Sequence, residues 1–192
     1  MKKIGLFFGS FNPIHIGHLA IAEFMVEQTD LDNIWFVVSP QNPLKEKKSL
    51  LADHHRWAMV NIAIEDDARF RAIDIEFKMP RPSYTIDTLT RLSEKYPDYE
   101  FVLISGTDIF QSLNKWKNYE ELLKQYSFYV YARPNYLMGE FENHPKIKVF
   151  NAPQMEISSS YIRQSIKANK EVKYLLPPKL DEYIKEMHFY EI

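Results

Sequence analysis

Apolar residues occur along the chain in short runs that polar, turn-forming stretches separate. Nearly continuous apolar runs of this length are typical of strands buried on both faces of a parallel sheet. These runs, together with one segment that alternates apolar and charged residues, predict six strands: Lys3–Phe8, Asn33–Ser39, Arg69–Phe77, Glu100–Ser105, Phe128–Ala132 and Lys146–Phe150. The segment Arg69–Phe77 is the alternating one.

The stretches between and after these strands have helical patterns. The predicted helices are Gly17–Thr29, Asp53–Glu65, Thr85–Tyr96, Tyr119–Gln125, Ser158–Ala168 and Pro178–Met187. The first should be largely buried, because Leu19–Val26 is apolar apart from Glu23. Such alternation predicts an α/β fold, an open parallel sheet with helices on both faces. We interpret residues 1–192 as a single domain in which 158–192 is a small C-terminal helical part.

The composition and charge of the chain exclude several classes of function. The chain has 192 residues, with 24 Lys plus Arg against 26 Asp plus Glu and a net charge of −2. That balance argues against bulk electrostatic binding to nucleic acid or to an anionic membrane. The absence of cysteine excludes disulfides, Cys-ligated zinc and thiol catalysis, and it fits a cytoplasmic location. No apolar run approaches the ~18 residues of a membrane span. The sequence leaves the oligomeric state open.

The segment between the first strand and first helix carries the clearest chemistry. Ligands of such sheets bind at the carboxyl ends of the strands. Gly9 allows a ligand close to the main chain, and Ser10 offers a hydroxyl. His15 and His18 lie at a helix N-terminus, where N–H groups and the dipole favour an anion. The pattern therefore predicts a phosphate site. A His-x-x-His pair can also bind a metal, but no third ligand is evident nearby, and we predict no metal site.

Two other segments have weaker patterns. Gly106–Asp108 follows the fourth strand, where Asp108 can accept from a ribose hydroxyl or hold Mg²⁺ through water, although a turn with an Asp cap is the alternative. Ser158–Ser160 with Arg163 suits a second phosphate contact, but taken alone the serines favour a simple N-cap.

The tryptophans differ in their surroundings. Trp35 and Trp57 are predicted to lie in the core. Trp116 lies between two lysines, so it is either a partly exposed packing residue or an aromatic face for a ring.

The segment Ser10–His18 resembles the signature of the nucleotidyltransferase superfamily that begins with Thr or Ser and ends in H-x-G-H. Within that superfamily the chain is similar to the bacterial nicotinate-mononucleotide adenylyltransferases of NAD biosynthesis. The resemblance continues in the family's order through Pro82-Ser83-Tyr84-Thr85, Ser105-Gly106-Thr107-Asp108, Lys115-Trp116, Arg133-Pro134, Ile157-Ser158-Ser159-Ser160 and Ile162-Arg163. The chain departs from the family at Phe8 (usually a second glycine), Asn12 (usually Asp) and Leu44 (usually His).

This resemblance implies a Rossmann-like fold and an enzyme that transfers the adenylyl group of ATP, accompanied by Mg²⁺, to nicotinate mononucleotide. It implies catalytic roles for Ser10, His15 and His18. It implies that ATP contacts are made by Gly9, Ser10, Phe11, His15, His18, Gly106, Asp108, Ser158, Ser159 and Arg163. It implies that mononucleotide contacts are made by Lys45, Tyr84, Thr85, Asp108, Trp116 and Arg133.

Two other functions remain open at this point. A sister adenylyl- or cytidylyltransferase acting on another phosphorylated acceptor, such as phosphopantetheine, shares the first motif. We do not expect it to share Tyr84-Thr85, Trp116 and Arg133-Pro134 together. A non-catalytic nucleotide sensor would keep the binding site, but the intact His15 and His18 weigh against it.

Overall fold

A computed structural model describes residues 1–40 and 50–191. Within these ranges six parallel strands form one sheet in the order β3-β2-β1-β4-β5-β6. The strands are β1 (Lys2–Gly9), β2 (Asn33–Val38), β3 (Phe70–Ile73), β4 (Tyr99–Gly106), β5 (Ser127–Tyr131) and β6 (Ile147–Phe150). The order reverses between β1 and β4, so a crevice opens where their carboxyl ends diverge.

Six α-helices in the described part of the chain cover the sheet: α1 (Ile16–Gln28), α2 (Asp53–Ile64), α3 (Thr85–Lys95), α4 (Tyr119–Gln125), α5 (Ser159–Lys167) and α6 (Pro178–Glu186). Strand side chains alternate between two hydrophobic clusters. The first cluster contains residues of α1, α2, α5 and α6, and the second contains residues of α3 and α4. This confirms the predicted open sheet with helices on both faces. None of the described helices combines the length and the apolar character needed to cross a bilayer.

The predicted third strand is too long. β3 ends at Ile73, which pairs with Val37, and Ile75–Lys78 form a 3₁₀ turn instead. β3 pairs only with β2, and β2 itself ends one residue later at Val38. Val38 would lie opposite Asp74, so the residues from Ile75 onward have no strand to pair with, although the alternating pattern continues to Phe77.

Two predictions about burial were also wrong. Trp57 is 37% exposed, because the buried face of α2 is formed by Arg56, Met59, Val60 and Ile64. Helix α1 buries only Gly17, Ala22 and Met25, and most of its other apolar side chains are half-buried. It lies at the rim of the first cluster rather than inside it.

Candidate active site

The loop after β1 is shaped by the inward ring of Phe11. This residue has a φ of 45°, and its side chain is only 2% exposed. Its ring lies edge-on to Phe36 and to His18, with centroids 5.6 and 5.2 Å away. A Cβ on Gly9 would lie 2.7 Å from the Phe11 ring, so only glycine fits there. Phe11 can therefore meet a ligand only through its main chain, while its side chain belongs to the core.

His15 and His18 stack at the beginning of α1. Their ring centroids are 3.8 Å apart with an interplanar angle of 30°. The His15 backbone N–H donates to Nδ1 of His18 at 3.2 Å, so a neutral His18 carries its proton on Nε2 as a donor. His15 is 5% exposed, and burial, assisted by the charge of Arg133, lowers its pKa to about 4. His15 is therefore neutral at pH 7.

The ends of β4 and β5 form the opposite wall of the crevice. A Cβ on Gly106 would lie 2.9 Å from the Tyr131 ring and 3.0 Å from Nε of Arg133, so glycine allows these groups to converge. Oδ1 of Asp108 lies 3.4 Å from the same Nε atom. The buried Thr107, a member of the predicted motif to which the sequence assigned no role, accepts a hydrogen bond from the Arg133 backbone N–H at 2.9 Å. Asp108 and Arg133 are thus held as a pair at the strand ends.

Helix α5 is fastened to the loop after β1. The Ser159 hydroxyl donates to the carbonyl of Pro13 at 2.8 Å, and Nη1 of Arg163 donates to the carbonyl of Asn12 at 2.8 Å. Ser158 is the N-cap of α5, and its hydroxyl accepts from a backbone N–H of the first turn. The structure therefore brings Ser159 and Arg163 to the phosphate motif, whereas the Ser158 hydroxyl serves the helix cap.

The segments around Tyr84 and Trp116 lie on the other side of the sheet. Thr85 is the first residue of α3, and Tyr84 precedes it as an N-cap with no side-chain cap hydrogen bond. Nζ of Lys117 lies 4.9 Å from the centre of the Tyr84 ring and 2.8 Å from Asp87. Trp116 and Tyr84 are half-buried and both pack against the second cluster. Lys45 and Leu44 lie outside the described residues.

Comparison with known proteins decides between the functions left open above. A family model described as cytidylyltransferase-like matches residues 6–165. A probable nicotinate-nucleotide adenylyltransferase of Flavobacterium psychrophilum is 52% identical over 191 residues, covering 98% of this chain and 99% of its own. Its counterpart in Flavobacterium johnsoniae is 53% identical over 193 residues, with coverages of 98% and 99%. The chain belongs to the nicotinate-nucleotide adenylyltransferase family.

Membership of the nicotinate-nucleotide adenylyltransferase family makes the chain a nucleotidyltransferase, and it favours the main prediction over both alternatives. The fold agrees with this assignment. Plasmodium falciparum nicotinic acid mononucleotide adenylyltransferase, solved in complex with NaAD, superposes with a TM-score of 0.84, covering 100% of this chain and 98% of that one at 24% identity. At this level of identity the likeness concerns the fold alone.

Two buried charged residues beside the site, Arg56 and Glu76, were not among the predicted site residues. The Glu76 carboxylate is 2% exposed and accepts from the hydroxyls of Ser83 at 3.0 Å and Thr88 at 2.8 Å. Burial raises the pKa of Glu76, and hydrogen bonds including these two oppose the rise. Glu76 thereby fixes the segment that leads into α3. The sequence offered one signal for Arg56. It lies three and four residues before Met59 and Val60, so it shares the apolar face of α2 although it is charged.

Proposed function

We propose that the chain transfers the adenylyl group of ATP to nicotinate mononucleotide, producing nicotinate adenine dinucleotide and pyrophosphate. The observation that carries the proposal is the stacked His15–His18 pair at the start of α1, beside the crevice where the strand order reverses. Helix N-termini at such positions bind phosphate groups. The family of the chain supplies the identity of the two substrates.

In the proposed reaction, a phosphate oxygen of the mononucleotide attacks the α-phosphorus of ATP. A new P–O bond forms as the bond between the α-phosphorus and the oxygen bridging to the β-phosphorus breaks. Pyrophosphate leaves with that electron pair. The attacking oxygen is already anionic near neutral pH, so no protein base is needed. Catalysis then consists of positioning and charge stabilisation.

His18 has the most direct part in this scheme. Its Nε2–H donates to an oxygen between the α- and β-phosphates as charge accumulates there. His15 holds the His18 ring through the stacking contact and the Nδ1 hydrogen bond, and it provides a second imidazole. Ser10 orients the triphosphate. The positive end of the α1 dipole adds to the attraction.

The remaining contacts follow the two walls of the site. On the ATP side we place Gly9, the main chain of Phe11, Gly106, Asp108, Ser158, Ser159 and Arg163. On the mononucleotide side we place Lys45, Tyr84, Thr85, Asp108, Trp116 and Arg133. Trp116 offers its face to the nicotinate ring, and the N–H groups at Thr85 receive the carboxylate. Asp108 belongs to both sets because it lies where the substrates meet.

Mg²⁺ is proposed to arrive with ATP and to offset the charge of the β- and γ-phosphates. The described residues contain no group of three or more His, Asp or Glu side chains that could hold a metal. When bound with ATP, the ion would be held mainly by phosphate oxygens and water, and Asp108 is the carboxylate that could accept from that water.

The test is pyrophosphate release from ATP and Mg²⁺ with a panel of acceptors at one pH. We expect release with nicotinate mononucleotide and none without an acceptor. Preferred release with phosphopantetheine would instead identify a sister transferase. ATP binding by equilibrium dialysis, with no release in any arm, would identify a sensor.

A further inference from the structure

Arg56 is a charged residue on the buried face of α2. Its side chain is 0% exposed, and each of the five N–H donors of its guanidinium group has an acceptor. Nε donates to Leu51 O (2.9 Å), Nη1 to Ser10 O (2.6 Å) and Ser39 O (2.7 Å), and Nη2 to Pro40 O (3.1 Å) and Asp53 Oδ1 (2.7 Å). Because the group is completely buried, it does not itself touch a substrate.

The acceptors belong to separate segments that border the proposed site. Ser10 lies in the loop after β1, which carries the phosphate motif. Ser39 and Pro40 directly follow β2. Leu51 precedes α2, and its backbone N–H donates to Oδ1 of Asn12 at 3.3 Å, which is a second link to the phosphate loop. A single guanidinium group therefore fixes the carboxyl ends of two neighbouring strands relative to each other.

The network extends to the mononucleotide side through Asp53. The second carboxylate oxygen of Asp53 accepts from Nη2 of Arg81 at 2.6 Å. Arg81 lies four residues before Thr85, in the segment whose Ser83 is held by Glu76. A continuous series of polar contacts thus runs from the Ser10 carbonyl, through Arg56 and Asp53, to the segment that begins α3.

Arginine is chemically required at this position. Burial lowers the pKa of Arg56, and the hydrogen bond and charge of Asp53 oppose that effect. Removing the side chain would leave four carbonyls and a carboxylate oxygen without their donor, and unpaired buried acceptors are costly. Lysine offers three donors from one atom and cannot reach acceptors arranged around a planar fork.

We propose that Arg56 is a positioning residue for adenylyl transfer, which acts with Asp53 and Arg81 to hold the phosphate loop and the segment before α3 in one arrangement. This inference rests on the proposed function, since it assigns those two segments to ATP and to the mononucleotide. Its effect on rate comes from geometry. Misplacing two reacting groups by about 1 Å can reduce a rate about 100-fold.

The test substitutes the two outer residues of the network, Asp53 and Arg81, whose side chains are 22% and 54% exposed. Asp53→Asn keeps one oxygen and therefore can serve only one of the two guanidinium groups, and Arg81→Ala removes the far partner. For each variant and for the double variant, kcat, both KM values and the melting temperature are measured. We expect each single change to lower kcat about tenfold, and the double variant to be no slower than the slower single variant, because both break the same link.

Lys179→Ala is the matched control. It removes an exposed pair between α6 and the residues just after α2, Glu65 and Asp66, at the end of the helix far from Arg56. Its kcat should stay within twofold of the wild type. Arg56→Lys should lower kcat more than either Asp53→Asn or Arg81→Ala does.

Three results would overturn the proposal. Additive losses in the double variant would mean that Asp53 and Arg81 act separately. A change confined to the KM of the mononucleotide would make Arg81 a direct substrate contact. A lower melting temperature with unchanged kcat would make the network purely structural. Wild-type activity in the same assay separates the two hypotheses, since an inactive wild type contradicts the proposed function, whereas active variants contradict only the role of Arg56.

Discussion

At the scale of single residues, His15 contributes a neutral imidazole to the proposed phosphate site. The rings of His15 and His18 lie 3.8 Å apart, and burial holds the pKa of His15 at about 4. His15 therefore carries no charge near neutral pH. A neutral His15 does not repel the nearby cation Arg133, and the positive end of the α1 dipole adds to the attraction for an oxyanion.

His18→Ala should lower kcat by about 10²–10³-fold, because it removes a donor placed where negative charge develops. The melting temperature should change little, since the His18 side chain is only half-buried. His54→Ala, at an exposed position of α2, is the control. Steady-state kinetics with thermal unfolding of both variants checks this, and a His18 variant within threefold of wild-type kcat would contradict the assigned role.

His15 makes the stability of the protein dependent on pH. Its pKa is about 4 in the folded chain, whereas a histidine of the unfolded chain has the ordinary value of about 6.5. Between these values only the unfolded chain binds the proton, so stability falls as the pH drops through 6.5 and levels off below 4. At pH 5 the loss from this residue is about 2 kcal/mol.

Urea unfolding of the wild type and of His15→Gln at pH 7.5 and pH 5 measures this contribution. The wild type should lose about 2 kcal/mol more than the variant between the two pH values. Other titrating groups cancel in this comparison. Equal losses in the two proteins would show that His15 binds its proton as readily in the folded state as in the unfolded one.

At the scale of elements, the beginnings of α3 and α5 offer different chemistry. Ser158 caps α5 with its own hydroxyl, and that terminus is held against the phosphate loop by Ser159. Helix α3 begins after Tyr84 with no side-chain cap. Its first N–H groups therefore suit a ligand carboxylate better than those of α5 do.

Nicotinate mononucleotide should exceed nicotinamide mononucleotide in kcat/KM by at least about tenfold, because N–H donors at α3 pair with a carboxylate and oppose an amide NH₂. Competition between the two acceptors at one pH measures the ratio. Trp116→Ala should weaken both acceptors by similar factors, whereas Trp57→Ala, on the exposed face of α2, should weaken neither. Comparable kcat/KM values would indicate a broader pyridine-nucleotide specificity.

Arg163→Ala should raise the KM for ATP about tenfold and raise the KM for the mononucleotide less, since a charge-assisted hydrogen bond contributes about 1.5–3 kcal/mol. The residue lies on α5 beside the phosphate loop. Arg163→Lys keeps the charge and should recover part of the loss. Initial rates with each substrate varied in turn check this, and equal effects on both KM values would place Arg163 outside the ATP site.

At the scale of the molecule, the positions of single strands could be predicted from the sequence better than the pairing between strands. β1, β2, β4 and β5 were located within one or two residues, because central strands buried on both faces carry long apolar runs. The end of β3 was wrong because it depends on where β2 stops. The strand order could not be predicted, since periodicity describes one segment at a time.

The residues of the candidate site also differ in how far they could be predicted from the sequence. His15 and His18 could be selected because the motif lies within one short segment. The roles of Arg56 and Glu76 could not be predicted, although Arg56 occupies an apolar position of α2, because their partners lie on other segments, as with Ser10, 46 residues from Arg56. The inward turn of Phe11 also depended on distant aromatic neighbours such as Phe36.

The fastening of the phosphate loop by the C-terminal helices has a consequence for synthesis of the protein. Ser159 and Arg163 bind carbonyls 146 and 151 residues earlier, and the Tyr190 hydroxyl binds Asn12, 178 residues earlier. When all six strands of a nascent chain have emerged from the ribosome, the residues that make these three contacts have not yet done so. We therefore expect the nascent chain to form the sheet before it can bind a triphosphate. Chains that end before α5 should consume no ATP, and activity should arise only after the residues up to Tyr190 have left the ribosome.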